Sequence, residues 1–274
     1  MKKILITGAN SYIGMSFEKY INENYSDNYI VDTVDMIDGT WREKDFSGYD
    51  AVFHVAGIAH QKETKENKSL YYKVNTELAV ETAQKAKDAK ISQFVFLSTM
   101  SVYGVNTGII TKETQPNPKS NYGRSKLEAE KRLEELQNNE FKVCIIRPPM
   151  VYGDGCKGNY QTIIKIVKKF PFFPKIKNQR SLIHIDNLCS FIEMVVRENL
   201  SGKFYPQNEK YVRTDEMAMD IAKSLGKKIR LSATLGFFVK CMRPFFGVVQ
   251  KAFGNLTYEE TEEFNFSYCL KKEE

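Results

Sequence analysis

A tyrosine and a lysine four residues apart, Tyr122 and Lys126, are the side chains of this 274-residue chain whose chemistry is easiest to specify. A helical spacing of four places the phenol and the ammonium on one face, about one turn apart. A phenol has a reference pKa of ~10 and exchanges protons poorly near neutrality, unless a nearby cation stabilises its anion. The pair therefore predicts a general acid–base site. The alternative is an ordinary solvated helix face, on which this spacing is common.

The amino-terminal segment reads as a strand over residues 2–7, a glycine-bearing turn and an amphipathic helix over residues 15–24. Gly8 permits a tight turn, and Gly14 allows the helix to pack closely on the strand. Backbone N–H groups of the turn and the helix N-terminus would face a pyrophosphate. The residues predicted to bind a dinucleotide here are Gly8, Asn10, Ser11, Tyr12, Ile13 and Gly14. Ser11 stands where a third glycine is frequent, so an ordinary strand-to-helix turn is the alternative.

A second strand is predicted over residues 29–35, and it ends on Asp35. A carboxylate at this strand end accepts hydrogen bonds from the hydroxyls of an adenosine ribose and repels a 2′-phosphate. It therefore favours NAD(H) over NADP(H). Asp32 is the nearby competitor, although strand alternation aims it differently. A solvated carboxylate at a strand end is the other interpretation.

Strands and helices alternate through the first half of the chain. Further strands are predicted over residues 50–57, 93–98 and 142–146, and helices over residues 70–90 and 121–138. This alternation predicts an α/β fold with a doubly wound parallel sheet of the Rossmann type. Ligands of such sheets bind at the carboxyl ends of the strands, where the small residues Val55, Ala56 and Gly57 would let a cofactor backbone approach closely.

Six segments, in this order, resemble the extended short-chain dehydrogenase/reductase family, in its NAD-dependent epimerase/dehydratase branch that acts on nucleotide sugars. The resemblance covers about residues 2 to 190. The matching segments are Thr7–Gly14, His54–Gly57, Ser98–Gly104, Tyr122–Lys126, Arg147–Gly153 and Arg180–Asp186.

The resemblance implies roles for individual residues. Thr99 would orient the reacting sugar oxygen, Tyr122 would exchange its proton, and Lys126 would lower the pKa of the tyrosine and hold the nicotinamide ribose. Asn75 would be a cofactor or helix-bend contact, and Pro148 a further cofactor contact. NAD is the implied cofactor. For Thr99 the alternative is a local hydrogen bond to the backbone, and for Asn75 an ordinary polar helix position.

The residues after Thr99 narrow the reaction. The 4,6-dehydratases of the family carry an Asp-Glu pair there, whereas this chain has Met100 and Ser101, which cannot serve as acid and base. The leading hypothesis is NAD(H)-dependent epimerisation at carbon 4 of a UDP-hexose or UDP-N-acetylhexosamine, for surface polysaccharide synthesis. The alternatives are an NAD(P)H-dependent reductase of a UDP-4-keto-6-deoxy-hexosamine and a non-catalytic NAD(H)-binding sensor.

Two residues are predicted to bind the substrate. Arg180 matches an arginine that grips the nucleotide diphosphate in the family, a task that suits a planar guanidinium. Asn159 could bond phosphate or sugar. The alternatives are a surface arginine and a loop asparagine. His60, near the expected sugar pocket, is interpreted as a loop residue without a role.

The composition excludes several classes of function. Net charge is +6, but the lysines are scattered and no aromatic-interleaved basic cluster indicates nucleic-acid binding. Five cysteines without paired spacing and three isolated histidines argue against a disulfide framework or a metal site, and they favour a reducing cytoplasm. Because the sequence starts directly with a strand, we expect no signal peptide.

The chain length predicts an NAD-binding domain over residues 1–153 and a small C-terminal substrate-binding lobe, mainly residues 154–274, with part of 178–204 returning to the first domain. The resemblance also implies a homodimer that pairs the helices of residues 70–90 and 121–138.

The segment 235–251 is apolar and basic, contains no acidic residue and is interrupted by Lys240 and Pro244. It does not predict a membrane span, which needs ~20 mostly uncharged residues. The favoured interpretation is a lobe helix that covers the substrate pocket. Contact with an anionic membrane surface or with a second subunit is the alternative.

Overall fold

The computed structural model describes residues 1–59, 61, 63–156 and 158–260, apart from the side chains of Asn159 and Val248. His60 and Cys269 lie outside these residues. The strands, in chain order, are β1 (Lys2–Thr7), β2 (Tyr29–Val34), β3 (Ala51–His54), β4 (Gln93–Leu97), β5 (Gly108–Ile110), β6 (Lys142–Ile146), β7 (Met150–Tyr152), β8 (Phe172–Pro174), β9 (Leu182–His184), β10 (Gly202–Phe204), β11 (Arg230–Ser232) and β12 (Leu256–Tyr258).

The α-helices are α1 (Tyr12–Asn24), α2 (Lys68–Tyr72), α3 (Leu78–Asp88), α4 (Asn121–Glu134), α5 (Asn159–Lys169), α6 (Ile185–Arg197), α7 (Thr214–Ser224), α8 (Ala233–Met242) and α9 (Gly247–Phe253). Short 3₁₀ helices cover Thr40–Arg42 and Met100–Tyr103. No helix in the described ranges combines the length and the apolar character that crossing a membrane requires.

The central sheet has six strands in the order β10-β6-β4-β3-β1-β2, and every neighbouring pair is parallel. This arrangement confirms the predicted α/β, doubly wound parallel sheet. The four residues of β3 and the first four of β4 are buried, as expected of strands that helices cover on both faces.

Strand alternation divides the core between the two faces of the sheet. On β1, Ile4 and Ile6 belong to one core cluster and Leu5 belongs to the other. Helices α1 and α6 cover the first face, and α3 and α4 cover the second. Since α6 and β10 follow the strands of the lobe in the chain, the polypeptide returns to the sheet after residue 184.

The lobe has a small core of its own, built by α5, α7, β8 and β11. Its buried side chains include Ile163, Val167, Phe173, Met217 and Ile221. From the lobe the chain returns once more as β12, which pairs in parallel with β5 beside the sheet domain. The division at residue 153 stays a prediction.

All three predicted helices differ from those observed, since the helix predicted over residues 121–138 already ends at Glu134. Helix α1 begins at Tyr12 rather than at residue 15, because the Ser11 hydroxyl accepts a hydrogen bond from the Gly14 amide (3.1 Å) and caps the helix there. The predicted helix 70–90 is interrupted by a π-helical turn, Lys73–Glu77, which joins α2 to α3.

Candidate active site

A cleft of ≈ 500 Å³ opens at the carboxyl ends of the central strands, between the sheet and the lobe. The predicted site residues that line it are Tyr12, Ile13, Val55, Gly57, Thr99, Tyr122, Lys126, Pro148 and Arg180. Gly8, Asn10, Ser11, Gly14, Asp35, Ala56 and Asn75 do not line this cleft. The side chain of Asn159 lies outside the described residues.

The turn between β1 and α1 is shaped by two close backbone approaches. Gly8 has φ +113°, and a Cβ there would come within 2.7 Å of the Ala56 amide nitrogen. A Cβ on Gly14 would lie 2.6 Å from the Ser11 hydroxyl and 3.1 Å from Val55. Only glycine fits both positions, so the turn and the end of β3 stay in contact.

The free amides at the start of α1 suit a dinucleotide. The first turn of α1 carries no acidic side chain that would compete with a pyrophosphate. Together with the close glycine turn and the adjoining cleft, this helix start fits the pyrophosphate of NAD. Asp35 follows β2. One of its carboxylate oxygens, Oδ1, accepts a hydrogen bond from the Ile37 amide at 2.7 Å, and the other oxygen takes no part in that bond. Asp32 accepts one from the Tyr49 hydroxyl instead.

Asn75 lies in the π-helical turn and is completely buried. Its side-chain oxygen accepts a hydrogen bond from the Ile58 amide at 2.8 Å, and its amide nitrogen donates to the Ile58 carbonyl and to the Ser125 hydroxyl. It thereby ties the loop after β3 and helix α4 to one point. Asn75 therefore lies at an irregular turn of the helix and contacts the residues around it. Its predicted contact with a cofactor stays a prediction.

Thr99 ends the segment after β4 and caps the following 3₁₀ helix. Its hydroxyl accepts a hydrogen bond from the Ser101 amide at 3.1 Å. The same hydroxyl lies near the Tyr122 phenol and lowers the pKa of that phenol. The local backbone bond, given above as an alternative, therefore coexists with proximity to the predicted acid–base residue.

Tyr122 lies in the first turn of α4, where its phenol is half-buried in the cleft wall. Burial raises the pKa of Tyr122 to about 12, and Tyr71 adds to this, while the Thr99 hydroxyl opposes it. The helix start is fixed by the Ser120 hydroxyl, which accepts from Gly123, and by the Glu63 carboxylate, which accepts from the Tyr122 amide at 3.1 Å.

Lys126, one turn further along α4, is only 4% exposed. Its ammonium donates to the Leu97 carbonyl at 2.8 Å and lies over the Phe96 ring, 4.5 Å from the centroid. Burial lowers the pKa of Lys126 to about 7, and the Glu130 carboxylate partly opposes this. The pKa of Tyr122 is shifted by burial, Thr99 and Tyr71 rather than by Lys126. Lowering of the Tyr122 pKa by Lys126 therefore stays a prediction for the protein with NAD bound.

His54 lies near Lys126 in the sheet interior, and both side chains contact the Phe96 ring. The imidazole is completely buried, its Nδ1 is 2.7 Å from the Thr7 hydroxyl, and the ring stacks with Phe94 and Phe96. Burial lowers the pKa of His54 to about 3, and Lys126 adds to the effect. His54 is therefore neutral at physiological pH, which keeps a second positive charge away from Lys126.

Behind the cleft wall lies a buried ion pair that links α4 to β6. The Glu130 carboxylate accepts two hydrogen bonds from the Arg147 guanidinium, at 3.0 and 2.6 Å, and a third from the Ser98 hydroxyl. Arg147 also donates to the Tyr103 hydroxyl at 2.9 Å, and its carbonyl accepts from the Tyr258 hydroxyl at 2.8 Å. The network joins the strand before Thr99 to the helix that carries Tyr122 and Lys126.

The lobe side of the cleft is cationic. Arg180 donates to the Gly254 carbonyl at 3.1 Å, and burial lowers the pKa of its guanidinium, which stays charged at physiological pH. Lys251 on α9 is an exposed second cation of the same cleft. The sequence around Lys251 contains no spacing or motif that predicts its position at the cleft.

Other residues of the site also escaped sequence reasoning. Glu63 fixes the start of α4 from 58 and 59 positions away, and Glu130 and Arg147 meet across 17 positions. The one available signal was Glu130 itself, which follows Lys126 by four residues on the same helix face. Within the described ranges, no group of His, Cys, Asp and Glu side chains could hold a metal ion.

The sequence model of the NAD dependent epimerase/dehydratase family matches residues 4–208. Among curated relatives, UDP-glucose 4-epimerase of Vibrio cholerae is 32% identical over 251 residues, which are 82% of this chain and 76% of the relative. The N-acetyl-α-D-glucosaminyl-diphospho-ditrans,octacis-undecaprenol 4-epimerase of Escherichia coli O157:H7 is 25% identical over 244 residues, 82% of this chain and 73% of the relative.

Solved structures with this fold include enzymes of more than one activity. A dTDP-4-dehydrorhamnose reductase of Clostridium acetobutylicum superposes with a TM-score of 0.69 at 25% identity, covering 84% of this chain and 82% of the reductase. UDP-glucuronic acid 4-epimerase of Bacillus cereus, in complex with NAD, superposes with a TM-score of 0.70 at 19% identity, covering 93% and 88% of the two chains. The second likeness concerns the fold alone.

Proposed function

This chain belongs to the NAD-dependent epimerase/dehydratase family, and from that premise we propose that it inverts carbon 4 of a UDP-hexose or UDP-N-acetylhexosamine for surface polysaccharide synthesis. It is an NAD-dependent enzyme of the extended short-chain dehydrogenase/reductase type. The observation that carries the proposal is the meeting of Thr99, Tyr122 and Lys126 on one wall of the cleft.

The residues of this wall divide the acid–base work. NAD, when bound, supplies hydride exchange with the sugar carbon. Thr99 orients the sugar oxygen by a hydrogen bond, and Tyr122 takes the proton of the hydroxyl as the carbon is oxidised and returns it when the carbon is reduced. Lys126, which lines the cleft, would hold the nicotinamide ribose and, as a cation, would favour the phenolate. Epimerisation requires the intermediate 4-keto sugar to present its other face before reduction.

The positions after Thr99 support a reaction without loss of water. Met100 is buried and its amide donates to the Pro148 carbonyl at 3.0 Å, while the Ser101 amide is bound to Thr99. A thioether and an alcohol do not provide the acid and base that elimination across carbons 5 and 6 needs.

The carrier of the sugar is inferred from the cationic lobe side. Arg180 and Lys251 suit the two phosphates of a diphosphate-linked sugar. The UDP-sugar of the Vibrio relative and the polyprenyl-diphosphate-linked sugar of the Escherichia coli relative share this diphosphate. We propose the UDP-sugar as substrate, since the more similar relative acts on one.

Cofactor use distinguishes the proposal from its main alternative. An epimerase regenerates its cofactor in every cycle, so it interconverts UDP-hexoses without added NADH. The test is incubation with UDP-hexoses and their 4-keto derivatives while the absorbance of reduced nicotinamide is followed. Net loss of NADH in proportion to sugar reduced would overturn the epimerase assignment.

The second candidate is a reductase of a UDP-4-keto-6-deoxy-hexosamine. The likeness to the Clostridium reductase favours it, as does Pro148-Pro149-Met150, which departs from the aromatic and asparagine pattern of housekeeping galactose epimerases. A non-catalytic sensor is the third candidate, and the retained Thr99, Tyr122 and Lys126 speak against it. Tight NADH binding without turnover of any diphosphate sugar would favour the sensor.

Three further expectations remain proposals. The NAD-binding domain ends near residue 153, the protein acts in the cytoplasm, and it forms a homodimer through α3 and α4, which contact one another within the chain. Sedimentation velocity of the purified protein tests the last of these.

A further inference from the structure

The lobe contains two long stretches without any acidic residue. Residues 155–185 and 221–258 together hold fourteen lysines and arginines and no aspartate or glutamate. The rest of the chain holds 26 basic and 34 acidic residues. The net charge of +6 therefore hides a strong separation of charge, with the lobe stretches at +14 and the remainder at −8.

The two acid-free stretches lie together in space. Strand β8, from the first stretch, pairs in parallel with β11, from the second. Helix α8 follows β11 directly and packs on β8 so closely that a Cβ on Gly236 would clash with the Lys175 carbonyl oxygen. The described parts of the two stretches consequently belong to one structural unit rather than to separate faces of the molecule.

Helix α8 presents its apolar side chains to solvent. Leu235, Phe238 and Met242 are spaced i, i+3 and i+7, so they form one stripe along the helix, and all three are exposed. In the turn that follows, Phe245 and Phe246 continue the apolar surface, with Phe245 80% exposed. Gly236 is the one buried residue of α8. We call this surface, residues 235–246, the lobe patch.

This exposure corrects the favoured interpretation of the segment. A helix that covered the substrate pocket would bury its apolar stripe against the cleft, whereas the stripe of α8 points away from the protein interior. Among the described side chains of segment 235–251, Lys251 on α9 is the one that lines the cleft. An apolar stripe on the outside of a strongly cationic lobe still lacks its partner.

We propose that the lobe patch binds an anionic membrane surface. The cations Lys240 and Arg243 lie among the aromatic side chains, and phosphate-bearing lipid headgroups complement them. Helices α8 and α9 are too short to span a bilayer and are separated by Pro244, so their apolar side chains would enter the headgroup region in the plane of the membrane.

Charge also decides between a membrane and a second copy of the chain. A symmetric dimer would place the same lobe patch, with the cations around it, against itself, and like charges would meet without any acid of the two stretches to separate them. A bilayer rich in anionic lipid supplies the missing negative charge and attracts the lysines and arginines near its surface. The proposal is independent of which reaction the cleft performs.

Membrane binding would also set the position of the cleft. Helix α8, which carries most of the lobe patch, contacts α9, and Lys251 of α9 lines the cleft. A membrane-bound molecule would therefore hold the cationic side of its cleft close to the headgroups.

Flotation with lipid vesicles tests the proposal on the full chain. We expect binding to vesicles of three parts phosphatidylcholine and one part phosphatidylglycerol, and at least ~10-fold weaker binding to phosphatidylcholine alone or at ~1 M salt, where the Debye length is about 3 Å. Absence of wild-type binding to the anionic vesicles would overturn it.

Paired variants locate the binding surface. Phe238→Ser with Phe245→Ser should weaken vesicle binding ~10-fold or more, whereas Ile109→Ser, which alters an apolar residue on β5 of intermediate exposure between the two, should not. Lys240→Glu with Arg243→Glu should weaken it similarly, and Lys19→Glu with Arg132→Glu is the matched charge control. Melting temperature and NADH affinity should be unchanged in all four variants.

Two outcomes of the variant series would refute the assignment. Equal losses in the control variants would mean that vesicle binding does not depend on the lobe patch. A dimer in sedimentation velocity that Phe238→Ser with Phe245→Ser dissociates, without vesicle binding by the wild type, would assign the patch to a second copy instead.

Discussion

The two sides of the cleft are built on different principles. On the sheet side, Tyr122 and Lys126 share one helix, Lys126 is bound to the Leu97 carbonyl, and the Glu130–Arg147 pair locks that helix to β6. On the lobe side, Arg180 is held through the Gly254 carbonyl, far away in the sequence, and Lys251 is exposed.

The difference separates chemistry from recognition. Proton transfer needs groups fixed within a fraction of an ångström, which buried hydrogen bonds and a single helix provide. Attraction of a diphosphate tolerates looser placement, because a cation acts over a longer distance than a hydrogen bond. We therefore expect substitutions on the sheet side to affect turnover and folding, and those on the lobe side to affect substrate affinity.

The largest effect should come from the proton itself. Tyr122→Phe keeps the ring but removes the transferable proton, so we expect kcat to fall at least ~100-fold with nearly unchanged NAD(H) affinity. Tyr72→Phe, on α2, is the matched control and should leave kcat unaltered. Lys126→Met should impair both turnover and cofactor binding. Near-normal activity of Tyr122→Phe would refute the sheet side as the chemical side.

Loss of one partner of the buried ion pair should follow in size. Arg147→Met leaves the Glu130 carboxylate buried without its cation, and we expect unfolding free energy to drop by about 3–5 kcal/mol. The exposed pair Arg42–Glu81 offers the control, since Arg42→Met removes a solvent-screened ion pair and should lower the unfolding free energy far less. Urea unfolding followed by circular dichroism measures both. Equal losses would show that burial of the pair is irrelevant.

On the lobe side, Arg180→Gln should change affinity rather than chemistry. Removal of a charged hydrogen-bond donor should raise KM for the diphosphate sugar about 10- to 100-fold while kcat changes little. Lys177→Gln, an exposed lysine three positions earlier, is the control. A fall in kcat with unchanged KM would place Arg180 in the chemistry and contradict the division between the two sides.

The smallest expected effect, measured per pH unit, is the change of unfolding free energy with pH. Lys126 has its pKa lowered from 10.5 to about 7, so between these values the unfolded chain binds more protons than the folded one. Unfolding free energy of the cofactor-free protein should therefore gain up to about 1.4 kcal/mol per pH unit from Lys126 as pH rises from 7 to 10.5. Lys126→Met should lose this contribution, and Lys19→Met, at an exposed position, should keep it. The readout is the difference between variant and wild-type midpoints across this pH range.

How far the sequence predicts the site depends on the distance over which its parts interact. The pair Tyr122 and Lys126 lies within two turns of one helix, and the turn Gly8–Gly14 is local, so their patterns are readable directly. The parallel sheet follows from the alternation of strands and helices. These features need no knowledge of distant contacts.

Other features depend on contacts that local patterns do not encode. The π-helical turn, which contains the buried Asn75, adds one residue to a turn of helix, and apolar periodicity did not reveal it. Glu63 reaches the start of α4 across a long separation. Whether the apolar side chains of segment 235–251 are buried depends on the elements packed against them, and composition does not report those elements. The sequence therefore predicted a helix covering the pocket, whereas the stripe of α8 is exposed.

Strand β12 has a consequence for the order in which the molecule assembles. It pairs with β5, hydrogen-bonds Arg180's neighbour Ser181 through its own backbone, and sends the Tyr258 hydroxyl to the Arg147 carbonyl, 111 positions earlier. Contacts between residues so far apart in sequence require a large loss of loop entropy before the contact itself stabilises the chain, so we expect them to form late. Pairing of β12 with β5 should then follow pairing of β1, β3 and β4 with one another, and the backbone amides of β12 and Ser181 should exchange with deuterium before those of β1, β3 and β4.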